Sequence, residues 1–212
     1  MKTILVYGDS NTYGQTGWPY LGEPRLPYDQ RWTSRVQHHF EGQIRLIAEG
    51  LGGRTAANLQ GDKVAYRNGQ EHFQTIFCSH QPIDILVIAL GTNDCQLRYS
   101  RTAQQIYQDL LWYQKVIGRY CAPGFATPRV VYITPPSFHV GDGDMYFGGR
   151  DTVRDELVMH MAQSEDMNII GLDDVELSND GVHFSAAGHR QVALAAEKTL
   201  EAMITGNYEE KI

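Results

Sequence analysis

Cysteine is scarce. Cys78, Cys95 and Cys121 are the only three in 212 residues, and no two stand as C-x-x-C. An odd set without such a pair implies neither a disulfide framework nor a thiolate zinc site, and a reducing cytoplasm is the expected setting. Long apolar runs are missing as well. Ile4-Leu5-Val6-Tyr7, behind Met1-Lys2-Thr3, is far too short for a signal-peptide core or a membrane span, and no other segment reaches spanning length, so no membrane partner is expected. Basic charge is in deficit, with 18 Lys and Arg against 25 Asp and Glu and a formal net charge of −7. A nucleic-acid surface needs clustered cations to neutralise phosphates, so the balance argues against one.

Several chemical signatures are also absent. There is no G-x-S-x-G elbow, no H-E-x-x-H, no phosphate-binding P-loop and no G-x-G-x-x-G. His38, His39, His72, His80, His139 and His160 are scattered without metal-ligand spacing. Asp142 and Asp144 in Gly-Asp-Gly-Asp have the look of a calcium loop, but the rest of an EF-hand is lacking. No metal and no cofactor is expected.

What is present is the composition of an ordinary globular chain, 42% hydrophobic and 20% charged, with neither repeats nor a linker. A single domain over 1–212 is expected. Short runs rich in Ile, Leu and Val recur at 3–7, 43–48, 83–90, 130–134 and 168–172. Because these runs are continuously apolar rather than alternating, they read as strands buried on both faces. Between them lie helical spacings: Trp32, Val36 and Phe40; Ile106, Leu110 and Ile117 behind a Thr102 cap; Val153, Leu157 and Met161; and Val192, Ala196, Leu200 and Met203 after Ser185. Strands alternating with helices predict a three-layer α/β/α sandwich on a mostly parallel five-stranded sheet. The stretches 14–29 and 137–149 read as long loops, of the kind that often bind ligands.

In such folds reactive groups collect beyond the carboxyl ends of the strands. Here the first run is followed by Gly8-Asp9-Ser10-Asn11, the second by Glu49-Gly50-Leu51-Gly52-Gly53 and the third by Gly91-Thr92-Asn93-Asp94. Asp180-Gly181-Val182-His183 lies beyond the fifth. Together they hold what acyl transfer needs: a nucleophile, a base, a group to orient the base and donors for an oxyanion. Singly, each has a plainer reading. Ser10 serves as well as a turn or helix cap, His183 as a helix-entry histidine beside a surface aspartate, Asn93 as an Asx turn and the glycines as turn formers.

In combination and in order, these segments resemble the four blocks of the SGNH hydrolases, or GDSL esterases, across nearly the whole chain. Asn11 stands where that family usually has Leu. The resemblance implies a flavodoxin-like sandwich and a serine esterase. It implies Ser10 as nucleophile, His183 as general base, Asp180 as its orienting partner, and an oxyanion hole from the N–H groups of Ser10 and Gly53 and the amide of Asn93, with Gly52 the alternative glycine. Asp94 and Asp173 are the next carboxylates should Asp180 not serve. Arg31-Trp32-Thr33, the Glu-Gly-Leu-x-x-Arg-Thr run and Leu90-Gly91-Thr92-Asn93-Asp94 look most like the bacterial arylesterase and acyltransferase branch. That likeness implies small acyl esters as substrates, acyl transfer to alcohols and a homo-oligomer, although Tyr13 and Gln15 occupy a segment often rich in Trp there. Asn11, Tyr13, Trp18, Tyr146 and Phe147 are candidates for the pocket walls. Carbohydrate acetylesterase, thioesterase and lysophospholipase share the machinery, and a binding module that kept only the fold is the alternative from another class.

Overall fold

The computed structural model describes residues 1–17, 25–141, 143–172 and 174–205. Five strands, β1 (Lys2–Gly8), β2 (Ile44–Gly50), β3 (Ile85–Ala89), β4 (Arg129–Ile133) and β5 (Ile169–Ile170), form one parallel sheet in the order β2-β1-β3-β4-β5. Each falls within or overlaps one of the expected apolar runs. The last is shorter than its run, because beyond Ile170 the ladder gives way to a side chain: Leu172 N–H donates to Thr134 Oγ1 at 2.9 Å.

Continuous apolarity is explained by two cores. Successive strand residues point to opposite faces, so Leu5, Tyr7, Leu86 and Ile88 enter one core while Ile4, Val6, Ile85 and Val87 enter the other. Helices α2 (Trp32–His39) and α6 (Ala186–Thr205) cover the second face. The first is covered by α3 (Gly69–His80), α4 (Ala103–Tyr120) and α5 (Asp151–Gln163). Thr102 caps α4 in a reciprocal pair with Gln105, as its position before an apolar helical spacing predicts.

Helix α3 was not expected. Its apolar face is carried by Phe73 and Phe77, both fully buried, amid Gln, Glu, His, Thr and Ser. Its start is set by tertiary contact, since Tyr7 Oη donates to Gly69 O at 2.8 Å and a Cβ at Gly69 would lie 2.2 Å from Thr55 O. Phe40 closes α2 as its cap rather than continuing it. No described helix is long and apolar enough to cross a membrane.

The strand order has a switch point. The connection leaves β1 toward β2 on one side and resumes at β3 on the other, and in open parallel sheets the crevice opens at the carboxyl ends of the two strands flanking that point. Those ends carry Ser10 and Asn93.

Candidate active site

The serine turn follows from close packing. Strand β1 ends at Gly8, where a Cβ would lie 2.1 Å from Thr12 Oγ1, so only glycine lets the chain fold back at once into the one-turn helix α1 (Ser10–Tyr13). Asp9 is its cap, accepting from Asn11 N–H at 2.9 Å, and Gly14 closes it with φ +90. The capping task thus falls to Asp9, and the Ser10 hydroxyl is turned outward, 2.9 Å from His183 Nε2.

The other ring nitrogen, His183 Nδ1, lies 2.5 Å from Asp180 Oδ2. Asp180 Oδ1 accepts from Ser178 Oγ at 2.9 Å and from the N–H groups of Val182 and His183 at 3.0 Å. Burial resists charge on Asp180, but the bond from His183, its positive charge and the two N–H groups prevail and pull the carboxyl down to about 2. Gly181 has φ +68, and a Cβ there would meet His139 O at 2.1 Å. The spacing of Asp180 and His183 works because glycine alone permits that turn.

Asn11 does not face the cleft, where the sequence reading put it. It is buried, and its amide spans to the histidine loop: Phe184 N–H donates to Asn11 Oδ1 at 2.9 Å, while Asn11 Nδ2 donates to Val182 O at 3.4 Å. The residue next to Ser10 therefore grips the residues on both sides of His183.

Asn93 opens a short turn after β3. Its Oδ1 accepts from Gln96 Nε2 at 2.9 Å and its Nδ2 donates to Arg54 O at 3.1 Å. One carbonyl lone pair and one N–H are thereby used, and the second N–H remains. Gly52 and Gly53 form the turn closed by Arg54 N–H on Leu51 O at 3.1 Å, with Gly53 at φ +76. Among the described residues, none accepts a hydrogen bond from the backbone N–H of Ser10, Gly52 or Gly53.

Three buried polar groups hold the site. The Arg54 guanidinium donates to Gly8 O and Glu49 O and lies over the Tyr7 ring at 4.1 Å, tying the ends of β1 and β2 together. Asp94 accepts from Ala56 N–H at 2.8 Å and Ala57 N–H at 3.3 Å, and burial raises it to about 7. Its carboxylate braces the chain after Gly53 and is not the partner of His183. Burial likewise lifts Asp9 to about 6, against the opposing pull of Asn11 N–H, His183 and Thr92. Asp173, the other alternative carboxylate, lies outside the described residues.

Ser10, Asn93 and His183 open onto a cleft of about 580 Å³, whose walls include Tyr13, Gly52, Gly53, Tyr146 and Phe147. Tyr13 is stacked under Arg25 at 3.6 Å, and Phe147 packs on Phe138 at 4.7 Å. Asp144 caps this far wall, accepting from Tyr146 N–H at 2.8 Å and Phe147 N–H at 2.7 Å. Trp18 and Asp142 lie outside the described residues.

The profile of the GDSL-like Lipase/Acylhydrolase family matches residues 6–191. The chain belongs to that family. As a GDSL-like acylhydrolase it is a carboxylic ester hydrolase, and its sandwich is shared with solved relatives. A carbohydrate acetylesterase family member from Sinorhizobium meliloti aligns over 97% of this chain and 100% of its own at 27% identity, with a TM-score of 0.83. The aryl esterase of M. smegmatis aligns over 96% and 100% at 25% identity, with a TM-score of 0.84. More distantly, a lipase/acylhydrolase from Enterococcus faecalis shares the fold at 21% identity and a TM-score of 0.67, with both chains fully covered. Comparison with curated proteins gives no match.

Proposed function

We propose that this GDSL-like acylhydrolase cleaves small acyl esters, acetyl esters foremost, through a covalent acyl-serine at Ser10. The observation that carries the reading is the continuous contact Ser10 Oγ–His183 Nε2 (2.9 Å) and His183 Nδ1–Asp180 Oδ2 (2.5 Å), with Ser10 and His183 opening onto the cleft.

Ser10 Oγ attacks the ester carbonyl carbon as its proton passes to His183 Nε2. Asp180, held ionised by its N–H donors, keeps Nδ1 protonated and stabilises the imidazolium. The negative charge moves to the former carbonyl oxygen, where the N–H groups of Ser10 and Gly53 and the second N–H of Asn93 Nδ2 receive it; Gly52 is the alternative donor. Collapse breaks the bond to the alcohol, which leaves with the proton from His183. Water then enters, gives its proton to His183 and releases the acid from Ser10; an alcohol in place of water gives acyl transfer.

A small ester is the partner in this reading, and the likeness to a carbohydrate acetylesterase favours an acetylated sugar as the natural form. An association of several copies, as in the arylesterase branch, belongs to the same proposal. Ser10→Ala tests the chemistry. Turnover of p-nitrophenyl acetate should fall by about 10⁴-fold or more, a fluorophosphonate probe should no longer label the protein, and the circular dichroism spectrum should be unchanged. Retained turnover with a folded variant overturns the assignment.

A further inference from the structure

We infer that the substrate carries an anionic oxygen group, a carboxylate or phosphate, beside the scissile ester, and that Arg67 and Arg98 receive it. The inference rests on the esterase reading above and names the substrate class for that site. Both arginines line the cleft that holds Ser10 and His183, and no described lining residue is an Asp or Glu. This is a local reversal of sign in a chain of net charge −7.

The two cations are not spent on structure. Arg101 pairs with Asp109 and Arg154 with Asp155, whereas neither Arg67 nor Arg98 makes an ion pair with a described residue. Each lies over the ring of its neighbouring tyrosine, Arg67 at 5.4 Å from Tyr66 and Arg98 at 4.6 Å from Tyr99, contacts that orient a guanidinium without neutralising it. Arg67 Nε is shut off from solvent and has no acceptor among the described residues. Arg67 also lies flat along Gly53: a Cβ at that glycine would be 3.0 Å from Nη1 and 3.1 Å from Nε. The guanidinium therefore sits against the turn assigned to the oxyanion, in the same cleft as Ser10. Its planar fork matches two oxygens of a carboxylate or phosphate.

The test compares 4-acetoxybenzoate with its neutral methyl ester, each as substrate for the wild type, Arg67→Gln, Arg98→Gln and the double variant near neutral pH. The readout is the ratio of kcat/KM for anion over neutral ester. Intrinsic leaving-group reactivity cancels when ratios are compared between variants, and so does any difference in folded fraction. The double variant should lower the ratio by about tenfold or more, chiefly through KM for the anion. Raising salt toward 0.5 M should shrink the wild-type ratio in the same direction. A ratio unchanged in the double variant overturns the inference, while hydrolysis of the neutral ester that depends on Ser10 leaves the esterase reading standing. Failure of the wild type on both esters overturns both. Acetyl phosphate, offered as an inhibitor of neutral-ester hydrolysis, separates phosphate from carboxylate preference: inhibition weaker in the double variant supports the arginines as an anion site, and equal inhibition counts against it.

Discussion

Replacing Asn11 with Ala removes the bridge between the serine turn and the histidine loop. Phe184 N–H is buried and loses its acceptor at 2.9 Å; Val182 O loses a weaker donor at 3.4 Å. A buried donor left unsatisfied costs about 1–3 kcal/mol, and the longer contact adds little, so a loss of about 2 kcal/mol is expected. For a domain of this size that lowers Tm by about 4–8 °C. The catalytic effect is separate, because both lost bonds flank His183. Freed by even a fraction of an ångström, its Nε2 no longer sits in line with Ser10 Oγ, and misplacement of about 1 Å costs about 10²-fold. Thermal unfolding and kcat on p-nitrophenyl acetate measure the two effects, and Asn11→Asp divides them. It keeps an acceptor for Phe184 N–H but turns a buried carboxyl oxygen toward Val182 O, so the share of the Tm loss it recovers should grow as pH falls and that carboxyl takes up a proton. An Asn11→Ala protein with wild-type Tm and kcat would refute this account of how the loop is held.

Three further outcomes are expected. Asp180→Asn should lower kcat by about 10⁴-fold with the fold intact, because an amide at Asp180 can present its N–H to Nδ1 and favour the wrong tautomer. Asn93→Ala should lower kcat by about 10²–10³-fold with KM little changed if, as proposed, its second N–H acts on the oxyanion alone. His189 is fully buried, accepts from Trp32 N–H at 3.3 Å, and is held down to about 4 by burial and by the charges of Arg35, Arg31 and His183. A folded-state value below the ordinary one means that the unfolded chain binds the proton first. His189 therefore contributes stability above about pH 6.5 that is lost as pH falls through 4, on the order of 3 kcal/mol in total. Urea unfolding between pH 7 and pH 4 should show this decline, and His189→Gln should flatten it. A decline of equal size in His189→Gln would place the titrating group elsewhere.

Much of the architecture was legible because strands buried on both faces leave continuous apolar runs, and all five runs became strands of the sheet. Helix α3 was hidden because its apolar face is only Phe73 and Phe77, with partly buried Ile76 beside them, and its entry is decided by Tyr7 and Thr55 from elsewhere in the chain. The supports of the site were hidden for a similar reason. Arg54 and Asp94 look like ordinary polar residues until backbone carbonyls and N–H groups of distant segments converge on them. Asn11 was read as a wall residue because adjacency to Ser10 was all the sequence offered.

By itself, the amino-acid order determined the fold class, the family and the four segments that gather at the carboxyl edge of the sheet. Each of those is a local property: an apolar run, a Gly-Asp turn, a spacing of three between Asp180 and His183. Tertiary structure alone decided that Asn11 grips the histidine loop and that two arginines, without acidic partners among the described residues, share the cleft with Ser10. The grip of Asn11 joins groups 173 residues apart, and burial and hydrogen-bond satisfaction, which set such meetings, are properties of the packed molecule.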